Sequence, residues 1–141
     1  MGRHPASCIP GMTYTRLAGS GAVAAPLGAT VNNGRFVAHK DLRIKGVKAT
    51  AEAAVIGANT NSVTLALRNL GADGSGTVDI ATLALTSGVN LGADTPKVIP
   101  LSATAADLLV TAGDVLTFRQ VKVGNGMNIA AMHGEVEYEL Q

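Results

Sequence analysis

The sequence predicts an all-β fold, a sandwich of antiparallel sheets in a single domain. Hydrophobic residues make up 47% of the 141 residues, yet the chain has two Phe, two Tyr and no Trp. Val, Leu, Ile and Ala must therefore fill the core, and such side chains suit the thin layer between two packed sheets. Seventeen glycines and 15% charged residues fit many short strands joined by turns.

Residues 63–85 predict a β-hairpin, the centre of this organisation. Apolar residues alternate with polar or small ones from Val63 to Leu67, and the glycine-rich segment 71–76 supplies a turn. In the second strand the apolar positions change phase before Leu83. That change predicts either a bulge near residues 81 and 82 or a strand buried on both faces.

Alternation and breaker residues predict further strands along the rest of the chain. Residues 42–55 predict either one long strand bent at Gly46 or two strands, and a later strand carries Pro100, which places it at a sheet edge. One helical turn is expected over residues 102–107. The predicted strands are 42–55, 97–101, 115–121 and a final pair over 127–132 and 135–140.

Residues 1–34 are predicted to form an extended N-terminal arm, and residues 35–141 the sandwich domain. Three prolines and the absence of a sustained period argue against a packed element in the arm, but its apolar residues are too many for a solvated tail. We therefore expect the arm to lie on this body or on another chain. Its removal is expected to leave the sandwich folded.

Charge is distributed unevenly along the chain. Residues 1–48 carry a net charge of +6 and residues 49–141 a net charge of −5. A basic leading segment can bind nucleic acid or the acidic surface of a neighbouring subunit. Because few aromatic side chains are present to stack bases, the sequence favours the protein partner and no direct contact with nucleic acid.

Cys8 is the single cysteine, so an internal disulfide is excluded. It is either an inert thiol or one half of an intermolecular bridge. The sequence shows no targeting signal and no apolar stretch long enough to span a bilayer, so we expect a soluble product of a cytoplasm, without a membrane partner.

The last predicted strand carries a row of carboxylates. Glu135, Glu137 and Glu139 alternate with apolar residues, which places all three on one face. Like charges at this spacing are tolerated in water or opposite cations. The row is therefore either a solvated sheet edge or a surface that pairs with basic strands or a neighbour's arm.

No catalytic, cofactor-binding or metal-binding constellation is found. Residues 19–24 match a degenerate dinucleotide motif but lack the flanking strand and helix. Residues 73–79 place oxygen-bearing side chains at alternate positions but lack the closing glutamate of a calcium loop. His4, His39 and His133 have no metal-ligand spacing. The sequence therefore predicts a protein that is not an enzyme and needs no cofactor.

Residues 42–140 resemble the small jelly-roll decoration, or cement, proteins of tailed-bacteriophage heads. The resemblance lies in the strand Val63–Asn69, the turn Asp73–Thr77, the segments Leu101–Asp107 and Val110–Leu116, and the acidic C-terminal strand. It implies a jelly-roll-like antiparallel β-sandwich, commonly a homotrimer, that sits on the capsid exterior and clamps neighbouring major capsid subunits. It brings no catalytic residue.

From this resemblance and the arm's composition we expect a structural virion protein, made in the host bacterial cytoplasm and bound to the major capsid protein. A receptor-binding or glycan-binding head of a fibre is the alternative; the scarcity of Trp and Tyr counts against it. The predicted contact residues of the arm are apolar or basic, apart from Cys8: Arg3, Cys8, Ile9, Met12, Tyr14, Arg16, Leu17 and Arg35.

Overall fold

The computed structural model describes residues 13–17, 30–129 and 131–141. This part of the chain is almost entirely strand and loop, with one 3-10 turn at Ala105–Leu108. The strands are β1 (Thr13–Leu17), β2 (Val31–Val37), β3 (Leu42–Ala51), β4 (Ser62–Asn69), β5 (Val78–Ala84), β6 (Lys97–Val98), β7 (Leu109–Val110), β8 (Val115–Val123) and β9 (Met132–Leu140).

The strands form two antiparallel sheets. A five-stranded sheet has the order β1-β9-β3-β6, with β7 also paired to β3, and a four-stranded sheet has the order β2-β8-β4-β5. The pairs are nested along the chain: β4 with β5, β3 with β6 and β7, β2 with β8, and β1 with β9. When strands paired in this nested order fold into two facing antiparallel sheets, the architecture is a jelly roll. The predicted fold class, an all-β jelly-roll-like sandwich, is confirmed.

β3 is a single strand, Leu42–Ala51, and it contains a bulge where the sequence predicted a change of phase. Its pairing with β9 shifts register between Ile44 and Gly46, so Lys45 is the extra residue of a bulge. On either side of this bulge the strand keeps its buried face, with Leu42 and Ile44 before it and Val47 after it. The bulge changes the phase of alternation and leaves Lys45 exposed.

β4 and β5 form the predicted hairpin, and β5 contains the predicted bulge, shifted by about one residue. The register shifts where Leu67 faces Ala81 and Arg68 faces Asp79, so Ile80 is the extra residue. Ile80 and Ala81 are consecutive and both buried, because a bulge places two neighbouring residues on nearly the same side.

Two segments differ from the sequence-based expectation. Residues 127–129 do not belong to a named strand, and a single long strand, β9, begins at Met132. In the predicted arm, β1 pairs with β9 and the last residues up to position 34 already belong to β2. Neither pairing tests where a separable domain begins, so the division at residue 34 stays a prediction.

Both sheets contribute aliphatic residues to one core. Leu65 and Leu67 of β4 and Leu116 of β8 meet Ile44 and Val136 from the other sheet, and each of the five is at most 1% exposed. The ring of Phe118 reaches across the sandwich to Gly134 of β9, where a Cβ atom would overlap it. The small residue on one sheet makes room for the large one on the other.

Gln120 is the exception in this core. It lies on the inward side of β8, opposite Leu65, and is 1% exposed. Among the described residues, neither Nε2 nor Oε1 of its carboxamide has a hydrogen-bond partner. A buried amide without partners costs about 1–3 kcal/mol relative to one that is paired.

We expect Gln120→Met to raise the free energy of unfolding by about 1 kcal/mol or more, because an apolar side chain of similar volume removes the unpaired amide. The measurement is urea unfolding of both proteins. Leu116→Met, on the same strand and already apolar, is the control and should cost less than about 1.5 kcal/mol. A Gln120→Met protein less stable than this control would show that the amide is paired in solution.

Candidate interaction surfaces

The sandwich presents two outer sheet faces, and three cationic side chains stand on each among the residues whose side chains the structure describes. On the five-stranded sheet these are Arg43, Lys45 and Lys48 of β3. On the four-stranded sheet they are Arg35, Arg68 and Arg119, each on a different strand. The two faces differ in the acidic residues that accompany these cations.

On the five-stranded sheet the cations face the predicted acidic row. In the β3–β9 register Arg43 lies opposite Glu139 and Lys48 opposite Glu135. The Nζ atom of Lys45 lies 3.7 Å from Oε2 of Glu139. A half-exposed ion pair of this kind contributes at most about 1 kcal/mol. The three cations of β3 and the three carboxylates of β9 are equal in number.

The interpretation of the acidic row as a sheet edge is therefore wrong. β9 lies between β1 and β3, and pairs with both. Because β3 supplies cations directly across the strand from Glu135 and Glu139, the carboxylates stand in the sheet interior beside opposite charges. The other interpretation left open by the sequence, pairing with a basic strand, describes this arrangement. Whether the row also contacts another chain stays a prediction.

On the four-stranded sheet two rows of side chains lie on the side away from the core. At their centre Thr117 and Ala66 are buried, at 0% and 2% exposure, so the accessible groups are the longer side chains around them. In the register Arg35 of β2 faces Thr117 of β8, and Thr117 faces Arg68 of β4, whose next neighbour is Asp79 of β5. In the adjacent row Asn32, Arg119 and Ala66 follow one another. The residues of these two rows together are called the arginine face below: Asn32, Arg35, Ala66, Arg68, Asp79, Thr117 and Arg119.

Asp79 is the one carboxylate of the arginine face, and Arg68 engages both of its oxygens. Nε of Arg68 donates to Oδ1 at 2.6 Å and Nη2 donates to Oδ2 at 3.0 Å. This hydrogen bonding raises the pKa of Arg68 above its usual value. Arg119 instead donates from Nε to the neutral Oδ1 of Asn32 at 2.8 Å.

The calcium-like spacing at residues 73–79 does not produce a cation site. Oδ1 of Asp73 accepts hydrogen bonds from the backbone N–H and the hydroxyl of Ser75, at 3.0 and 2.8 Å. These bonds lower the pKa of Asp73 below its usual value. Because Asp79 belongs to the ion pair with Arg68, the oxygens of the segment serve the turn and the sheet.

No group of three or more His, Cys, Asp or Glu side chains in the described part of the chain could hold a metal ion. His39 and His133 are exposed, whereas His4 and residues 19–24 lie outside the described residues. At the ends of β3 and β9 a cavity of about 270 Å³ opens between two loops. Its lining, which includes Glu52, Asp94 and His133, forms no recognisable catalytic arrangement.

The predicted contact residues of the arm are placed unevenly by the structure. Arg3, Cys8, Ile9 and Met12 lie outside the described residues. Tyr14, Arg16 and Leu17 belong to β1 and stand in register with Tyr138, Val136 and Glu135. Arg35 is exposed on the arginine face. Sequence reasoning missed Arg68 and Arg119 as its neighbours, because only the strand register brings the three together.

Comparison with known protein families and with curated proteins finds no match. Solved structures do contain similar folds. A chain of the cyanophage Pam1 capsid asymmetric unit is 17% identical, with a TM-score of 0.50, and the alignment covers 100% of this chain and 94% of that one. At 17% sequence identity the similarity shows a shared fold alone.

Two chains from infectious bursal disease virus, a VP2 subviral particle and the Gx strain, are 15% and 14% identical, with TM-scores of 0.49 and 0.46. Each alignment covers 92% of this chain and 32% of the viral one. The chain therefore spans about a third of the length of these viral proteins.

In the described residues, no helix has the length and hydropathy needed to cross a membrane.

Proposed function

We propose that this chain is a structural virion protein that binds the outer surface of a phage capsid and cements neighbouring major capsid subunits. The observation that carries the proposal is the correspondence, over nearly the full length of both chains, with a chain of a cyanophage capsid asymmetric unit. A jelly roll whose described part holds no group of metal-ligating side chains suits a role in assembly.

Attachment is assigned to the arm and its neighbouring strand. Ile9, Met12, Tyr14 and Leu17 provide apolar contacts, while Arg3, Arg16 and Arg35 pair with carboxylates of the major capsid protein. The net charge of +6 over residues 1–48 supports this assignment. Association into a homotrimer multiplies weak individual contacts by raising their effective concentration.

The proposal predicts that heads of the parent phage assembled without this chain take it up from solution. A full-length Ile9→Ser/Met12→Ser protein is expected to bind at least about tenfold more weakly, since both apolar contacts are lost. Occupancy is measured by sedimenting the heads and quantifying the bound chain.

Ile56→Ser is the matched control, because Ile56 is 71% exposed in the body of the sandwich. Its binding should change less than about twofold. Heads that take up none of the unaltered chain would contradict the proposed function, whereas equal binding by the double variant would contradict only the assignment to the arm.

A further inference from the structure

The arginine face has an excess of positive charge that the described side chains do not neutralise. Arg35, Arg68 and Arg119 share this face with one carboxylate, Asp79, which Arg68 engages with two hydrogen bonds. Among the described side chains, neither Arg35 nor Arg119 forms an ion pair. The opposite outer face has three cations on β3 and three carboxylates on β9. One face is therefore balanced and the other is basic.

We propose that the arginine face is a docking surface for a protein surface that bears carboxylates. The inference rests on the proposed function in one respect: it assigns those carboxylates to the capsid shell. It extends the contact predicted at Arg35 to Arg68 and Arg119, two residues outside the arm.

The geometry of the face suits separate carboxylates. Strands in a sheet stand about 4.8 Å apart, so Arg35 and Arg68, with β8 between them, are anchored about 10 Å apart. Each guanidinium offers a planar fork that binds a carboxylate with two hydrogen bonds and is less strongly hydrated than an ammonium group. Arg68 already makes this arrangement with Asp79.

Apolar side chains lie at both ends of the arginine face. Val37 of β2 is 44% exposed at one end and Val123 of β8 is 39% exposed at the other. Exposed apolar side chains at the border of an arginine cluster match the composition of protein interfaces, where Arg is enriched and Lys is depleted.

A protein partner fits this face better than nucleic acid. Phe36 and Phe118 pack against the core, whereas Tyr14 and Tyr138 belong to strands of the other sheet, so the described part of the face offers no ring for stacking a base. The whole chain has a net charge of +1 and a pI of about 7.9, below the strongly basic range typical of nucleic-acid binding domains.

The first experiment compares two double variants of the full chain that remove the same charge. Arg35→Gln/Arg119→Gln changes the arginine face and leaves the Arg68–Asp79 pair intact. Lys40→Gln/Lys48→Gln changes exposed residues outside that face. At about 0.15 M salt, we expect the arginine variant to bind heads lacking the chain at least about tenfold more weakly and the lysine variant to bind within about twofold of the unaltered chain.

The second experiment needs no capsid. The ¹⁵N-labelled chain is titrated with polyglutamate and, separately, with a single-stranded oligonucleotide, and amide chemical shifts are followed. Polyglutamate is expected to shift the amides of Arg35, Thr117 and Arg119, and the shifts should vanish in the arginine variant. Tighter binding of the oligonucleotide at these amides, or polyglutamate shifts elsewhere only, would overturn the inference.

The two experiments separate the failure of the inference from that of the proposed function. If the unaltered chain does not bind heads, the proposed function is contradicted. The polyglutamate titration alone then tests whether the arginine face binds carboxylates. Equal loss of head binding by both double variants contradicts the inference, because net charge and not the arginine face would then control attachment.

Discussion

Gly134→Ala is expected to destabilise the sandwich by about 2 kcal/mol or more, because the added methyl group enters the space occupied by the ring of Phe118. Gly134 is buried on β9 and Phe118 projects from β8 of the opposite sheet. The substitution therefore probes the distance between the sheets. Its effect is measured by denaturant unfolding of the full chain.

Gly46→Ala is the matched control, since it lies in the same sheet on the neighbouring strand. A Cβ atom at Gly46 would stand 3.5 Å from Oε2 of Glu137, an ordinary contact, so the free energy of unfolding should change by less than about 0.5 kcal/mol. Phe118→Leu in combination with Gly134→Ala should recover part of the loss. Equal stability of the Gly134→Ala and Gly46→Ala proteins would contradict the inter-sheet packing.

Gly57→Ala is expected to have a comparably large effect at the end of the sandwich. The new methyl group would overlap the backbone carbonyl oxygens of Thr86 and Val89. These atoms belong to a turn that is closed by the hydrogen bond from Val89 N–H to Thr86 O at 2.9 Å. Because backbone cannot rotate away as a side chain can, we expect a loss of about 3 kcal/mol.

Gly88→Ala separates steric overlap from the loss of a glycine. Gly88 has a φ of 89°, but no atom lies within 4 Å of a Cβ built there. Alanine at this position should cost about 1 kcal/mol through its backbone conformation. A thermal midpoint for Gly57→Ala no lower than that for Gly88→Ala would contradict the described packing of the two loops.

Alternation was sufficient to predict most strands. Buried positions at every second residue identified β3 and β4, and changes of phase located the bulges of β3 and β5. Each bulge inserts one residue, and its signature is visible within a single strand. Residues 127–129 show the limit of this signal. They contain the buried Ile129 but join no named strand, so the local apolar pattern overestimated the extent of strand pairing.

Strand order was not predictable from the same patterns. Glu135, Glu137 and Glu139 were expected on one face, and β9 fulfils this, but an edge and an interior strand carry the same alternation. The carboxylates stand beside cations because β3 pairs with β9 across more than eighty residues of chain. The arginine face has the same origin, since Arg35, Arg68 and Arg119 are far apart in sequence and adjacent through register.

The most direct test of the proposed virion role is the number of copies of this chain per major capsid subunit in gradient-purified particles of the proposed parent phage, measured by quantitative mass spectrometry. The account predicts a ratio near one or a fixed large fraction of one, as expected for a protein that cements every shell contact of a given kind. A few copies per particle would indicate a fibre or vertex component, and particles without the chain would contradict the account.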